Sequence, residues 1–101
     1  MGRTTIEELR NRRLVAMTTA ERAEFDEAIA SARLAIEVGE KVREARESVG
    51  LSQRELAARM STSQAAVARL EAGGTSATLT TLHKAAAALG LELSIDLSPA
   101  G

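Results

Sequence analysis

Two short amphipathic segments stand side by side between Leu51 and Gly73, and only Ser61, Thr62 and Ser63 separate them. Helices shorter than about 12–15 residues are marginal in water when they are isolated, so neither segment is stable on its own. Each must therefore pack against the other and against the rest of the chain. This requirement predicts two short helices joined by a tight turn and held by one shared core.

Capping residues predict where the helices begin and end. The Ser/Thr-x-x-Glu capping box, in which side chain and backbone satisfy each other's hydrogen bonds, begins at Thr5, Thr18 and Ser52. Ser63 and Thr78 are further candidate N-caps, and glycines stand where helices should end. We predict helices at about 6–13, from 19 to Gly50 with a break or kink at Gly39, after Ser52, from Ser63 to about Ala72, and from Thr78 to Gly90.

Apolar residues recur at helical spacing along these segments. The predicted core positions of the three later helices are Leu56, Ala57, Met60, Val67, Leu70, Leu79, Leu82, Ala86 and Leu89. A separate, narrow apolar stripe on the long helix consists of Phe25, Ile29, Ala32 and Ile36.

The period of the apolar residues changes from 3.6 to 2 after Gly90. This alternation predicts one half-buried strand that stops at Pro99, with its apolar side formed by Leu91, Leu93, Ile95 and Leu97. The predicted fold class is all-α, a helix-turn-helix bundle with one short C-terminal β-strand. The predicted domains are a helical extension at 1–39, the bundle at 40–90, and the strand and tail at 91–101.

Composition restricts the class of protein. The chain has no cysteine, so disulfides and thiolate metal sites are excluded, and a reducing interior is expected. No apolar run is long enough to span a membrane, and no signal peptide is evident; we expect a cytoplasmic protein. The net charge is −1 and residues 40–76 carry six basic against five acidic side chains. Any nucleic-acid site therefore depends on local geometry.

Three runs of residues carry a resemblance to the Xre/Cro-type helix-turn-helix of phage repressors and bacterial regulators. They are Gly50-Leu51-Ser52-Gln53-x-Glu55-Leu56-Ala57, Thr62-Ser63-Gln64, and Val67-x-Arg69-Leu70-Glu71-x-Gly73. The resemblance covers about residues 40–90 and implies a phage-repressor-like fold that binds an operator in double-stranded DNA.

The resemblance also implies roles for individual residues. Base contacts are expected from the second helix of the pair, since glutamine can bond adenine and an alanine methyl can pack on thymine; these are Gln64, Ala65 and Arg69. Phosphate contacts are expected from Arg43, Gln53, Ser63 and Thr75, and a structural ion pair from Arg46 and Glu71. The chain departs from the family in having Ala72 for a common asparagine, Ser61 for a common glycine, and the strand for a fifth helix.

The helical extension and the C-terminal strand make the layout similar to that of HigA-type antitoxins. That resemblance implies a toxin partner of the HigB/RelE type. The toxin would bind the apolar stripe and its acidic neighbours, which are Phe25, Ile29, Ala32 and Ile36 with Glu21, Glu24, Asp26 and Glu27. A homodimer is expected, because an unpaired strand is best paired with its copy across a two-fold axis. We therefore expect a repressor that neutralises a toxin and regulates its own operon.

Two other interpretations remain open, a stand-alone Xre-family regulator and a helical interaction adaptor that does not bind DNA. An enzyme is not expected, because the chain has no phosphate loop, no recognisable pair of carboxylates, and no nucleophile near a histidine. His83 is the only histidine, so we expect no metal site and no cofactor.

Overall fold

The computed structural model describes residues 5–75 and 77–100, so the first four residues of the predicted extension and the last residue of the predicted tail lie outside it. The predicted all-helical arrangement is confirmed. Within these ranges the chain forms five helices: α1 (Ile6–Ala16), α2 (Thr19–Ser48), α3 (Gln53–Arg59), α4 (Gln64–Glu71) and α5 (Leu79–Ala88).

The predicted caps form as hydrogen bonds. Glu8 N–H donates to Thr5 Oγ1 at 3.1 Å, and Glu21 N–H donates to Thr18 Oγ1 at 3.1 Å. Ser52 completes its capping box at the start of α3. Because each of these bonds joins residues three apart, the sequence pattern is sufficient to place the helix starts.

A break at Gly39, one of the two predicted alternatives, is wrong, since α2 is helical from Thr19 to Ser48; a kink there stays a prediction. Gly39 is buried, and a Cβ on it would lie 2.5 Å from the carbonyl oxygen of Leu70 and 2.6 Å from that of Glu71. The glycine therefore permits a close approach of α2 to the end of α4 and does not end the helix.

The chain divides into two compact units, one up to Ser31 and one from Ala32 onward. The first unit contains α1 and the beginning of α2. Four of its large apolar side chains are exposed, those of Ile6, Leu9, Phe25 and Ile29.

The second unit holds the hydrophobic core, which is built from small and medium-sized aliphatic side chains. Leu56 and Val67 are the largest fully buried residues. The cluster consists of Val42, Leu56, Ala57, Val67, Leu70 and Leu89, with Ala45, Leu51, Met60, Ala77, Leu82 and Ala88 packed against it. Leu79, the first residue of α5, was predicted to face this core but is 63% exposed.

The predicted strand at Leu91–Leu97 is wrong as well. Residues 91–100 have no regular secondary structure, and Leu97 is 93% exposed. A strand requires hydrogen bonds to a neighbouring strand, and no part of residues 5–75 or 77–100 supplies one. The alternating apolar residues are therefore left on a tail without regular secondary structure. No helix in these same ranges is long and apolar enough to cross a membrane.

Candidate nucleic-acid interface

A tight turn joins α3 to α4. Thr62 N–H donates to the carbonyl oxygen of Ala57 at 2.9 Å, and Ser61 N–H donates to that of Ala58 at 3.2 Å. Ser61 has a φ of 55° and is the one non-glycine residue with positive φ in the described chain. The buried Ala57 lies under this joint, where its small side chain lets the two helices pack closely.

The buried face of α4 determines which residues face outward. Val67 and Leu70 are 1% and 4% exposed, so the core holds the rotation of the helix. Gln64, Ala65 and Arg69 are exposed in consequence. The three residues assigned to base contacts thus lie on the solvent side of one short helix.

The start of α4 is capped and carries no negative charge. Ser63 Oγ accepts a hydrogen bond from Ala66 N–H at 3.1 Å, and no acidic residue stands in the first turn. The positive end of the helix dipole is therefore available to an anion. The Ser63 hydroxyl accepts in this cap and keeps its O–H as a donor, and its contact with a phosphate stays a prediction.

A bidentate ion pair joins α2 to α4. Arg46 Nε donates to Glu71 Oε2 at 2.7 Å, and Arg46 Nη2 donates to Glu71 Oε1 at 2.9 Å. The remaining guanidinium nitrogen, Nη1, donates to the carbonyl oxygen of Leu51 at 2.8 Å. Both charged residues are buried. The pair therefore fixes the end of the candidate recognition helix to the body of the domain.

The surroundings of Glu71 decide its ionisation. Burial alone would raise the pKa of Glu71, but hydrogen bonds from Arg46 and Gln53, with the charges of Arg46 and Arg43, lower it overall. The hydrogen bond to Glu71 raises the pKa of Arg46 in turn. Both groups therefore stay charged at neutral pH.

The residues assigned to phosphate contacts differ in how freely they can make them. Arg43 and Thr75 are exposed. Gln53 is half-buried, and its Nε2 donates to Glu71 Oε1 at 3.1 Å. A glutamine amide has two N–H groups, so one remains for another acceptor while the bond to Glu71 orients the side chain.

A cleft of about 310 Å³ opens beside α4, and the sequence did not predict it. Arg69 lines it together with Thr75, Thr81 and Lys84. Arg69 also lies against the following loop, because a Cβ on Gly74 would come within 3.0 Å of Arg69 Cγ. The helical pattern of α5 could have predicted that Lys84 is exposed, but only the tertiary arrangement of α4 and α5 places Lys84 and Arg69 in the lining of one cleft.

The remaining candidate residues lie outside α3 and α4. The stripe of Phe25, Ile29, Ala32 and Ile36 is exposed along α2. In the tail, Leu93 is half-buried, whereas Leu91, Ile95 and Leu97 are exposed. Among the described residues, no group of three or more His, Asp or Glu is placed to hold a metal ion.

Comparisons with known proteins agree with this geometry. The model of the helix-turn-helix family matches residues 42–95, more than half of the chain. The crystal structure of the restriction-modification controller protein C.AhdI from Aeromonas hydrophila is similar, with 31% sequence identity and a TM-score of 0.59 over 60% of this chain and 88% of that chain. No curated protein matches. These similarities support DNA-binding transcriptional regulation, whereas the resemblance to HigA-type antitoxins stays a prediction.

Proposed function

We propose, from the premise that the chain belongs to the helix-turn-helix family, that it is a sequence-specific transcriptional repressor whose α4 enters the major groove of its operator. One observation carries the proposal. The buried Val67 and Leu70 orient α4 so that Gln64, Ala65 and Arg69 are exposed on it. A helix fits the major groove, where the donor and acceptor pattern of each base pair is distinct.

The candidate contact residues suit different parts of the duplex. Gln64 can bond the N6 and N7 atoms of an adenine, and the methyl group of Ala65 can contact the methyl group of a thymine. Exposed Arg43 and Thr75 suit backbone phosphates, which fix the register of the protein but carry no sequence information. The bond from Gln53 to Glu71 orients the Gln53 side chain, which supports a phosphate contact by its second amide N–H.

Binding titrations test the recognition helix. We expect Gln64→Ala to cost about 1–3 kcal/mol per half-site on the chain's own upstream region and to relax the preference at one base pair. Asn11→Ala is the matched control, because it removes an exposed amide from α1. If Gln64→Ala discriminates between this duplex and a scrambled one as well as the unmodified protein does, α4 is not the recognition helix.

The apolar tail supports a homodimer. Leu91, Ile95 and Leu97 are exposed, and burial of such side chains stabilises by about 25 cal/mol per Å² of apolar surface. A two-fold dimer would present two copies of α4 to half-sites about 34 Å apart, one turn of DNA. The proposal concerns contact through these side chains and does not require a strand within the isolated chain.

The proposal also includes a toxin that binds this protein. The stripe residues Phe25 and Ile29 are exposed, and they precede the region matched by the family model. Acidic side chains flank them at Glu21, Glu24, Asp26 and Glu27, which suits a small basic ribonuclease. The proposed protein would therefore neutralise a HigB/RelE-type toxin and repress its own operon.

The product of the neighbouring gene tests the proposal that the protein binds a toxin. We expect the neighbouring gene product to be a toxin whose co-purification and neutralisation are lost with Phe25→Glu. Ala20→Glu, an exposed position on the same helix, is the matched control. Neutralisation that persists in Phe25→Glu would exclude this surface.

The similarity to a restriction-modification controller protein favours a second candidate, a stand-alone regulator. That controller structure corresponds to 60% of this chain, so the similarity does not require a partner for the remainder. A neighbouring restriction-modification operon, with regulation unchanged by Phe25→Glu, would favour this candidate over the antitoxin.

A further inference from the structure

The cleft beside α4 combines an apolar floor with a polar rim. Val67 and Leu70 are buried at its base. Hydroxyl groups and cations line its edge, from Ser61, Thr62, Thr75, Thr81, Arg69 and Lys84. None of the described lining residues is acidic. Its volume of about 310 Å³ would hold roughly ten water molecules at about 30 Å³ each, which is ample for an anion with part of its hydration shell.

The two cations of the cleft have no counter-charge in the described part of the chain. Neither Arg69 nor Lys84 forms an ion pair there. Arg46, by contrast, is fully engaged by Glu71 and Leu51. Both side chains are exposed, so solvent screens their mutual repulsion, and an anion in the cleft would be attracted by both charges.

We infer that this cleft binds one phosphate group between Arg69 and Lys84, and that the phosphate belongs to the backbone of the DNA. The inference rests on the proposed function, because it uses α4 as the helix in the major groove. It adds Lys84 of α5 to the interface, a residue that no sequence pattern pointed to.

The position of the cleft favours a backbone phosphate over a free anion. Arg69 belongs both to the exposed face of α4 and to the cleft lining, and Thr75 at the rim is itself a candidate phosphate contact. A duplex held by α4 therefore passes next to the cleft. The cleft also opens directly to solvent along the exposed residues Ser61, Thr62 and Lys84, so a phosphate could enter without any rearrangement of the core.

Salt dependence of DNA binding tests the inference. The chain has two lysines, Lys41 and Lys84, and Lys41 lies among Glu37, Glu40 and Glu44, away from the cleft lining. Affinities for a fluorescent duplex of the chain's upstream region and for a scrambled duplex would be measured between about 50 and 200 mM salt. We expect Lys84→Gln to reduce the salt slope by about one unit on both duplexes. Lys84→Arg should keep the slope, and Lys41→Gln should match the unmodified protein.

Other results would overturn the inference. Equal slopes for Lys84→Gln and Lys41→Gln would remove Lys84 from the interface. If inorganic phosphate also saturated the cleft, with amide shifts that Lys84→Gln abolished, the ligand would be a free anion. These results are distinct from failure of the proposed function, which would appear as unchanged sequence discrimination in Gln64→Ala. Because a phosphate contact acts on both duplexes, the slope decides the inference even without a known operator.

Discussion

Gly39 of α2 approaches the carbonyl oxygen of Leu70 at the end of α4 so closely that a Cβ at position 39 would lie 2.5 Å from it. Arg46 follows seven residues later, which places it on the same face of α2. That face is therefore close enough to α4 for Arg46 to form its bidentate pair with Glu71. The close approach and the ion pair together hold the candidate recognition helix.

The first prediction concerns this close approach. Gly39→Ala should introduce strain of about 3 kcal/mol, because the new methyl group would meet backbone atoms that can move only with their helix, and should reduce the free energy of unfolding by about 2 kcal/mol net. The gain in helix propensity, about 1 kcal/mol, opposes this loss but is smaller than the expected strain. Urea unfolding would measure the change in the free energy of unfolding. Glu40→Ala, a substitution at an exposed position, is the control. A Gly39→Ala protein as stable as the unmodified one would contradict the close packing.

The second prediction concerns the buried ion pair. Arg46→Met should cost about 3–5 kcal/mol of stability, because it leaves the buried Glu71 carboxylate without its main partner. The double variant Arg46→Met with Glu71→Gln should recover part of that loss, since no charge is then left buried. Arg54→Met, at an exposed position of α3, is the control. If the stability losses of Arg46→Met and Glu71→Gln add in the double variant, the two residues do not interact.

The third prediction concerns pH. The folded-state pKa of Glu71 lies below its ordinary value of 4.5, so its ionised form stabilises the native state above that value. This contribution is lost as the pH falls from about 4.5 through the lowered pKa. Unfolding measured between about pH 7 and 3 should show a smaller acid-dependent loss for Glu71→Gln than for the unmodified protein. Equal losses would assign the acid sensitivity to other carboxylates.

The fourth prediction concerns the turn between α3 and α4. Ser61 has a φ of 55°, a conformation that costs a non-glycine residue roughly 1–2 kcal/mol. Ser61→Gly should therefore raise the melting temperature, with a net gain of about 1 kcal/mol after the entropy cost of glycine. Thr62→Gly is the matched control and should destabilise, because Thr62 has no positive φ. A lower melting temperature for Ser61→Gly would mean that the serine hydroxyl outweighs the strain.

The fifth prediction concerns the tail. Ile95→Asp should weaken self-association, because it places a charge within the exposed apolar residues proposed to meet across the two-fold axis. Sedimentation at several protein concentrations would measure the change. Ser98→Asp adds the same charge at an exposed polar position of the tail and serves as the control. A fully dimeric Ile95→Asp protein would place the dimer contact elsewhere.

Local signals determined much of this fold. The helix starts at Thr5, Thr18, Ser52, Ser63 and Thr78 were predictable because each cap joins residues three apart in the chain. The inward positions of α3 and α4 were predictable because apolar spacing identifies a helix face. The exposed side of α4 follows from those buried positions, whereas the assignment of Gln64, Ala65 and Arg69 to base contacts comes from the family resemblance.

Only the tertiary structure decided the features that depend on two distant segments. Gly39 resembles a helix break in sequence, yet its role depends on how closely α4 passes. The alternation after Gly90 resembles a strand, but a strand forms only where a neighbour provides hydrogen bonds, and the described chain has none for it. Lys84 and Arg69 are fifteen residues apart in sequence and line one cleft. A residue pattern records the preferences of one segment, whereas each of these outcomes depends on which atoms a second segment places beside it.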